Sequence, residues 1–317
     1  MHDVCLFAHF DQDDKIDDYV LWYLRNISDL NFSIVFISAA RLSSSDVERL
    51  GAYCCDVILR ENGGLDFGSW SAGFAKHGSA IDGRLLLAND SVYGPIGSLA
   101  AAVGRLTRER ADYYGLVESV EVAPHLQSWF LLFEPWVVKN EEFAAILAQP
   151  FSSMTRRQIV RNGEVGLSRR LGKAGFRYEA LHRYDDTGLP RRYDANHMLV
   201  LWRELLLAEG IPFLKIELLR DNPIGGESAT AILQTVERID PSFCGLIKSH
   251  LARTRARPQR SAVTRARYAM IRRRYDVMRE NRSTFGALNL VKLEALTLVV
   301  RAGRLAGRLL GLRQDFV

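Results

Sequence analysis

The sequence predicts an α/β protein with a mainly parallel sheet flanked by helices and a basic helical extension at its C-terminal end. Short apolar runs alternate with longer amphipathic segments, which is the pattern of a parallel sheet covered on both faces. Of the 317 residues, 48% are hydrophobic and 25% are charged. This composition is that of a globular protein and excludes collagen-like and wholly disordered chains.

The predicted elements alternate regularly from the first residues onward. Strands are predicted over 3–10, 32–38, 56–59, 84–88, 113–117 and 128–133. Helices are predicted around 19–24, after the Ser-rich cap at 43–46, over 70–76 and over 99–106. Ligands of such sheets bind at the carboxyl ends of the strands, so the polar loops 9–14, 61–66 and 89–91 should converge on one edge.

The charge distribution divides the chain into two regions. Positions 248–317 contain 17 Lys and Arg against 4 Asp and Glu, whereas positions 1–247 contain 25 against 33. The pI of about 9.1 therefore reflects the tail. We expect a globular domain over 1–245 and a basic amphipathic helical extension over 246–317. The acidic first region counts against nucleic acid as a partner, because a continuous basic footprint is missing there, and leaves only a contact through the Arg-rich tail as an alternative.

The N-terminal residues and the cysteines predict a cytoplasmic protein. Asp3 stands where a secretory signal would carry basic residues, and no window approaches the 18 apolar residues of a membrane-spanning helix. The four cysteines, at positions 5, 54, 55 and 244, lack the paired spacing of a zinc site. We expect buried, reduced thiols.

Two of the polar loops contain candidate binding residues. Asn62-Gly63-Gly64, followed by Asp66, supplies the backbone freedom with which a helix N-terminus approaches a phosphate, although a tight turn with a helix cap has the same pattern. Asn89-Asp90-Ser91 follows a buried strand and offers three oxygen ligands, with Asp90 as the carboxylate for Mg²⁺ or Mn²⁺. The alternative for this second motif is a polar cap of the turn that ends at Gly94-Pro95.

Glu164 is the candidate catalytic base. It is predicted in the first turn of a helix that Asn162 caps and Gly175 ends. A carboxylate in that position is kept ionised by the helix dipole and can take a proton from a hydroxyl group. The dipole alone would also explain a glutamate there.

Two further segments contain candidate substrate-binding residues. His125, Gln127 and Trp129 lie at the start of an apolar strand and can hold a sugar through hydrogen bonds and stacking, although an isolated histidine in such a position is more often structural. Lys215 and Arg220 precede Pro223 and can bind a diphosphate or simply form a solvated ion-pair cluster.

Four ordered motifs together resemble the rhamnan synthesis F family of bacterial polysaccharide glycosyltransferases. They are Asn62-Gly63-Gly64-Leu65-Asp66-Phe67-Gly68-Ser69-Trp70, Asn89-Asp90-Ser91-Val92-Tyr93-Gly94-Pro95, His125-Leu126-Gln127-Ser128-Trp129-Phe130, and the segment from Pro212 to Pro223. The likeness spans residues 3 to 225. It implies a GT-A type fold and the use of a nucleotide-sugar donor to build a cell-surface polysaccharide such as O-antigen or rhamnan.

The resemblance also implies roles for individual residues. Asn89-Asp90-Ser91 falls where GT-A enzymes carry an Asp-x-Asp metal motif, and Glu164 falls where inverting enzymes carry the acid that activates the acceptor. Asp11 and Asp66 are assigned to the nucleotide, and the segment 125–129 to the acceptor. Two departures are visible: the metal motif has one carboxylate instead of two, and Leu65 replaces an arginine of some relatives.

The basic extension and the single carboxylate leave other functions open. A non-catalytic scaffold that binds glycan or partner enzymes is the main alternative to a glycosyltransferase. Residues 288–312 predict an amphipathic helix with arginines on one face and leucines on the other. Such a helix can lie on an anionic membrane surface, at the inner face of the bacterial plasma membrane, or pack on protein.

Overall fold

The computed structural model describes residues 2–191 and 195–280. Its strands are β1 (Val4–His9), β2 (Ser33–Ser38), β3 (Cys54–Leu59), β4 (Leu85–Asn89), β5 (Val92–Tyr93), β6 (Tyr113–Ser119), β7 (His125–Leu126), β8 (Phe130–Phe133), β9 (Tyr178–His182) and β10 (Leu214–Lys215). Its helices are α1 (Asp18–Ser28), α2 (Ser44–Leu50), α3 (Leu65–His77), α4 (Leu99–Leu106), α5 (Pro135–Val138), α6 (Glu141–Leu147), α7 (Arg156–Ile159), α8 (Val165–Lys173), α9 (His197–Val200), α10 (Trp202–Leu207), α11 (Ile216–Arg220), α12 (Ala229–Ile239), α13 (Pro241–Arg253) and α14 (Ala262–Glu280).

Eight of the strands form one mixed, mostly parallel sheet. The order is β3-β2-β1-β4-β8-β6-β7, and β9 pairs with β6. The strands β1 to β4 pair in parallel, whereas β8 runs antiparallel between β4 and β6. The predicted α/β class and its mainly parallel sheet are therefore confirmed. The carboxyl ends of β1, β4 and β6 lie at one edge, beside the amino end of β8.

Successive residues of the central strands point to opposite faces of the sheet, so apolar side chains project from both faces and helices cover each of them. Cys5 and Phe7 of β1 enter one hydrophobic core, while Leu6 and Ala8 enter the core on the other face. The first core also contains residues of α1, α4 and the C-terminal helices, and the second contains residues of α3 and α5 to α8. These two layers fix the strand ends that carry the site.

Two helices begin earlier than the sequence predicted. Helix α3 starts at Leu65 and not near Trp70, because Gly64 takes the left-handed conformation, with φ of 78°, that turns the chain into the helix. The segment around Glu164 starts at Arg156, where Thr155 and Gln158 form a capping box. A π-helical turn, Val160–Glu164, then joins α7 to α8.

The described part of the predicted extension packs on the core. Ile247 of α13 and Ile271 of α14 are fully buried, and Tyr268 is 1% exposed. Arg272 donates two hydrogen bonds to Glu204, each of 2.8 Å. The domain boundary near 245 stays a prediction, but residues up to 280 contribute to the same hydrophobic core. The predicted helix over 288–312 lies outside the described residues.

The cysteines and the helix lengths also bear on predictions made from the sequence. Cys5 and Cys244 are buried free thiols as predicted, whereas Cys55, on the edge strand β3, is exposed. None of the helices in the described ranges combines the length and the apolar character needed to cross a membrane.

Candidate functional site

An open cleft of about 210 Å³ lies at the carboxyl edge of the sheet. Its wall combines the N-terminal end of α3, the end of β4, the segment around β7 and β8, and the helical segment from α7 to α8. It contains these residues: Leu65, Asp66, Phe67, Asn89, Ser91, Ser119, Glu121, Val122, His125, Gln127, Ser128, Trp129, Arg156, Ile159, Val160, Glu164, Asn196, Lys215, Glu217 and Arg260. Of the three polar loops predicted to converge, two contribute to this wall, through Leu65 and Asp66 and through Asn89 and Ser91, whereas none of residues 9–14 lines the cleft.

Glu164 is held at the cleft wall by the residue that precedes β8. The backbone N–H and the hydroxyl group of Ser128 both donate to Glu164 Oε1, each over 3.1 Å. Two donors on one oxygen fix the direction of the carboxylate. The predicted support from a helix dipole is wrong, because Glu164 ends a π-helical turn inside a continuous helical segment and is not in a first turn capped by Asn162.

Asp66 and Asn89 form a second polar group in the cleft. The side-chain amide of Asn89 donates to Asp66 over 2.9 Å, and Asn89 Oδ1 accepts hydrogen bonds from the backbone N–H and the hydroxyl of Ser91. Burial raises the pKa of Asp66 to about 6, against the opposing charges of Lys215 and Arg156. The cleft therefore contains a carboxyl group whose ionised form is disfavoured by burial.

Asp90, the predicted metal ligand, is not among the residues that line the cleft. Its carboxylate accepts a hydrogen bond of 2.9 Å from the backbone N–H of Phe10 and lies 3.8 Å from the His9 ring. Burial raises the pKa of Asp90 well above its usual range, and the nearby charge of Asp66 adds to this. Because Asn89 Oδ1 is also occupied, by Ser91, this donor set does not fit a cation shared with a diphosphate in the cleft.

Asp11, assigned to the nucleotide from the sequence, is part of an ion-pair cluster outside the cleft. Arg253 of α13 contacts Asp11 and Asp17 at 2.5 Å and Asp13 at 2.6 Å. Burial would raise the pKa of Asp11, but hydrogen bonds from Arg253 and from a backbone N–H outweigh it and lower that pKa. One ligand atom each from Asp11, Asp17 and His250 lie within 4.8 Å of one another, a spacing that could hold a metal ion. The Arg253 guanidinium already supplies the positive charge there.

The predicted acceptor-binding residues come together in the cleft. His125 is 4% exposed and its Nδ1 lies 2.7 Å from the carbonyl oxygen of Ala123. Gln127 accepts a hydrogen bond of 3.2 Å from the indole of Trp129 and donates to Asn196 over 3.3 Å. The three side chains are thus fixed by contacts within the protein and form a preorganised wall.

Four of the remaining predicted residues, Asn62, Gly63, Gly64 and Arg220, lie away from the cleft wall. Asn62, Gly63 and Gly64 form a turn against residues 151 and 152, where a Cβ atom on Gly64 would lie 2.9 Å from the carbonyl carbon of Phe151. The turn interpretation of this motif is therefore favoured over direct phosphate contact. Lys215 lines the cleft, but Arg220 forms an ion pair with Asp221 at 2.8 Å and does not.

The sequence reasoning missed several residues of the cleft. Ser128 orients Glu164, and Arg156, Asn196, Glu121 and Arg260 belong to the wall. A local pattern predicts the position of Arg156 at a helix start, since Thr155-Arg156-Arg157-Gln158 has the spacing of a capping box. The other residues enter the cleft from distant segments, which no local pattern shows.

Sequence comparisons find two relatives of different lengths. An uncharacterized protein of Sinorhizobium fredii, y4gN, is 29% identical over 169 residues, which cover 51% of this chain and 44% of that protein. The virulence protein VirA of Vibrio anguillarum is 28% identical over 240 residues, which cover 66% of this chain and 75% of VirA. The chain thus spans less than half of the Sinorhizobium protein that it matches.

Two solved structures resemble the fold more distantly. A Desulfovibrio desulfuricans protein described as a nucleotide-diphospho-sugar transferase has a TM-score of 0.35 at 12% identity, covering 79% of this chain and 99% of that one. The glycosyltransferase GlyE of Streptococcus pneumoniae has a TM-score of 0.38 at 12% identity, covering 81% and 66%.

The family match is broader than the resemblance of the four motifs. It covers residues 34–284, so it begins later than expected and continues through α12, α13 and α14. On this match, over most of its length, the chain belongs to the Rhamnan synthesis protein F family.

Proposed function

We propose that this chain is a nucleotide-sugar-dependent glycosyltransferase that adds a sugar to a growing cell-surface polysaccharide. Membership of the Rhamnan synthesis protein F family supports this proposal. The observation that carries it is the cleft, in which the Ser128-oriented carboxylate of Glu164 lies with Asp66, Asn89 and a wall of His125, Gln127 and Trp129. A fixed carboxylate beside a sugar-binding wall is the arrangement that acceptor activation requires.

The proposed chemistry is a single inverting displacement. Glu164 takes the proton of an acceptor hydroxyl as its oxygen attacks the anomeric carbon of the donor. The bond between that carbon and the diphosphate oxygen breaks, and its electron pair leaves with the nucleoside diphosphate. Asp66 and Asn89 act on the donor side, and the wall from His125 to Trp129 holds the acceptor.

The substrates and the location of the enzyme follow as parts of the same proposal. The donor sugar is rhamnose or another hexose, and the acceptor is a glycan, free or attached to a lipid. The enzyme works in the cytoplasm at the inner face of the bacterial plasma membrane. Its C-terminal extension contacts the anionic membrane surface or other enzymes of polysaccharide assembly.

The test is a panel of nucleotide sugars that includes dTDP-rhamnose, UDP-galactose and GDP-mannose. Each is scored for thermal stabilisation of the full chain and for release of nucleoside diphosphate with glycan acceptors. With the active donor, Glu164→Gln should bind normally while the rate falls by roughly 10²-fold or more. Glu109→Gln, an exposed glutamate outside the cleft, is the matched control.

Two results would contradict the proposal. If Glu164→Gln turned over donor as fast as the control, the base would be elsewhere. If no nucleotide sugar stabilised or reacted with the protein while glycans bound to it, a non-catalytic scaffold would be the better description. Inversion itself is checked by the anomeric configuration of the product in its NMR spectrum.

A further inference from the structure

The charged residues of the cleft fall into two groups. Four carboxylates and three cations line it: Asp66, Glu121, Glu164, Glu217, Arg156, Lys215 and Arg260. Most of them have partners within the protein. Arg260 lies 3.6 Å from Glu217, and the hydroxyl of Tyr268 donates to Glu121 over 3.1 Å. Asp66 and Glu164 accept the hydrogen bonds of Asn89 and Ser128 described above.

Arg156 and Lys215 differ from the other charged residues of the cleft in their side-chain contacts. Within residues 2–191 and 195–280, neither side chain forms a hydrogen bond or an ion pair, although both line the cleft. Both act electrostatically on Asp66, so their charges reach the same part of the cleft. The cleft thus presents two positive charges whose protein partners are missing from the described structure, as a site for a doubly charged anion would.

The backbone of each cationic residue is held by regular secondary structure. Lys215 belongs to β10, which pairs with β5 so that Lys215 faces Val92, and the next residue, Ile216, donates its backbone N–H to Ser91 over 3.1 Å. Lys215 is therefore held beside the strand end that carries Asn89. Arg156 is the first residue of α7, fixed by the Thr155 capping box.

We propose that Arg156 and Lys215 bind the donor diphosphate directly and neutralise it as it leaves, so that transfer does not depend on a divalent cation. The inference rests on the proposed function and names how its leaving group is held. A guanidinium binds phosphate oxygens in a bidentate way and an ammonium acts as a compact charge, which together match a diphosphate. Charges already in place where negative charge develops lower the barrier to transfer.

This proposal differs from the expectation drawn from the sequence, in which a metal ion on Asp90 performs this task. Asp90 is hydrogen-bonded to Phe10 outside the cleft wall, and Asn89 Oδ1 is occupied by Ser91. Asp90 Oδ2 and Asn89 Oδ1, two of the oxygens that would share a cation with the diphosphate, thus already accept hydrogen bonds from the protein. Arg156 and Lys215, by contrast, both line the cleft.

The test uses the full chain and inorganic pyrophosphate as the probe, by titration calorimetry in EDTA and then in Mn²⁺. We expect binding in EDTA that Mn²⁺ strengthens by no more than about twofold. Arg156→Gln and Lys215→Met should each weaken it by roughly tenfold or more, the usual scale for a charged hydrogen bond. Arg157→Gln, an exposed neighbour that does not line the cleft, should bind as the natural sequence does.

The outcomes separate this inference from the proposed function. Pyrophosphate that binds only with Mn²⁺, or binds equally to all three variants, overturns the inference even if sugar transfer is observed. Metal-free binding that needs Arg156 and Lys215 supports it even if every donor in the panel is inactive, in which case the glycosyltransferase proposal is the one that fails. With an active donor, transfer in EDTA should continue at an unchanged rate.

Discussion

Asp66 provides a direct test of the site, because its ionised carboxylate should lower the free energy of unfolding. The carboxyl group is half-buried, burial raises its pKa to about 6, and the nearby Glu164 carboxylate raises it further against the pull of two cations. Asp66→Asn removes the charge while keeping an oxygen that can accept the hydrogen bond from Asn89. We therefore expect the variant to be more stable than the natural sequence at neutral pH.

The magnitude follows from the difference between the pKa of about 6 in the folded protein and the ordinary value of 3.8. Between those two pH values the native state binds more protons than the unfolded state, so the free energy of unfolding falls as pH rises. Above pH 6 the penalty is constant. Two pKa units correspond to about 3 kcal/mol, and since water still reaches the half-buried group we expect about 1 to 3 kcal/mol.

The assay is urea denaturation of both proteins from pH 3.5 to 8. The two stability curves should coincide near pH 3.5, separate between about pH 4 and 6, and stay apart above it. Asp186→Asn, an exposed carboxylate in a turn, is the control and should follow the natural sequence. Equal stability of the Asp66 variant and the natural sequence at pH 7.5 would refute the reasoning, because it would show that the buried charge has no cost.

Two further predictions concern the C-terminal helices. Arg253→Ala leaves Asp11, Asp13 and Asp17 without their shared cation and should destabilise the fold by about 2 kcal/mol at pH 7. Although burial alone would raise the pKa of Asp11, hydrogen bonds from Arg253 lower it, so this loss narrows as pH falls below the ordinary value of 3.8 and Asp11 protonates in the folded protein. Urea denaturation beside the exposed Arg255→Ala measures it, and equal losses in both would contradict the prediction. Ile271→Ala should cost about 2 to 5 kcal/mol, since the side chain is fully buried. The exposed Val263→Ala is its control in thermal melts, and an unchanged midpoint for Ile271→Ala would show that α14 does not belong to the core.

The sequence predicts the position of the motif Asn89-Asp90-Ser91 along the chain but not which of its side chains lines the cleft. The sequence predicts that Asn89-Asp90-Ser91 follows a buried strand at the carboxyl edge of the sheet, and in the fold β4 ends at Asn89. Adjacent residues at a strand end point in different directions, however, and which of them faces the cleft depends on the neighbouring strands. In the fold Asn89 and Ser91 line the cleft, while Asp90 is held by the backbone of Phe10.

The sequence alone predicts six of the ten strands, the helices that alternate with the first of them, and the sheet edge where polar loops gather, because these features depend on the local periodicity of apolar residues. The strands β5, β7, β9 and β10 are not predicted, since they are short or pair with distant segments. The sequence also contained the family motifs. The folded chain was needed to see that Ser128 orients Glu164 and that Arg253 neutralises Asp11. It also showed that, within the described part of the chain, Arg156 and Lys215 act on Asp66 and have no partner of their own. The cause is that the pKa of a charged side chain and its interaction energy depend on how deeply it is buried and on which charges lie near it. Such charges come from segments as far apart as residues 11 and 253, which only the folded chain brings into contact.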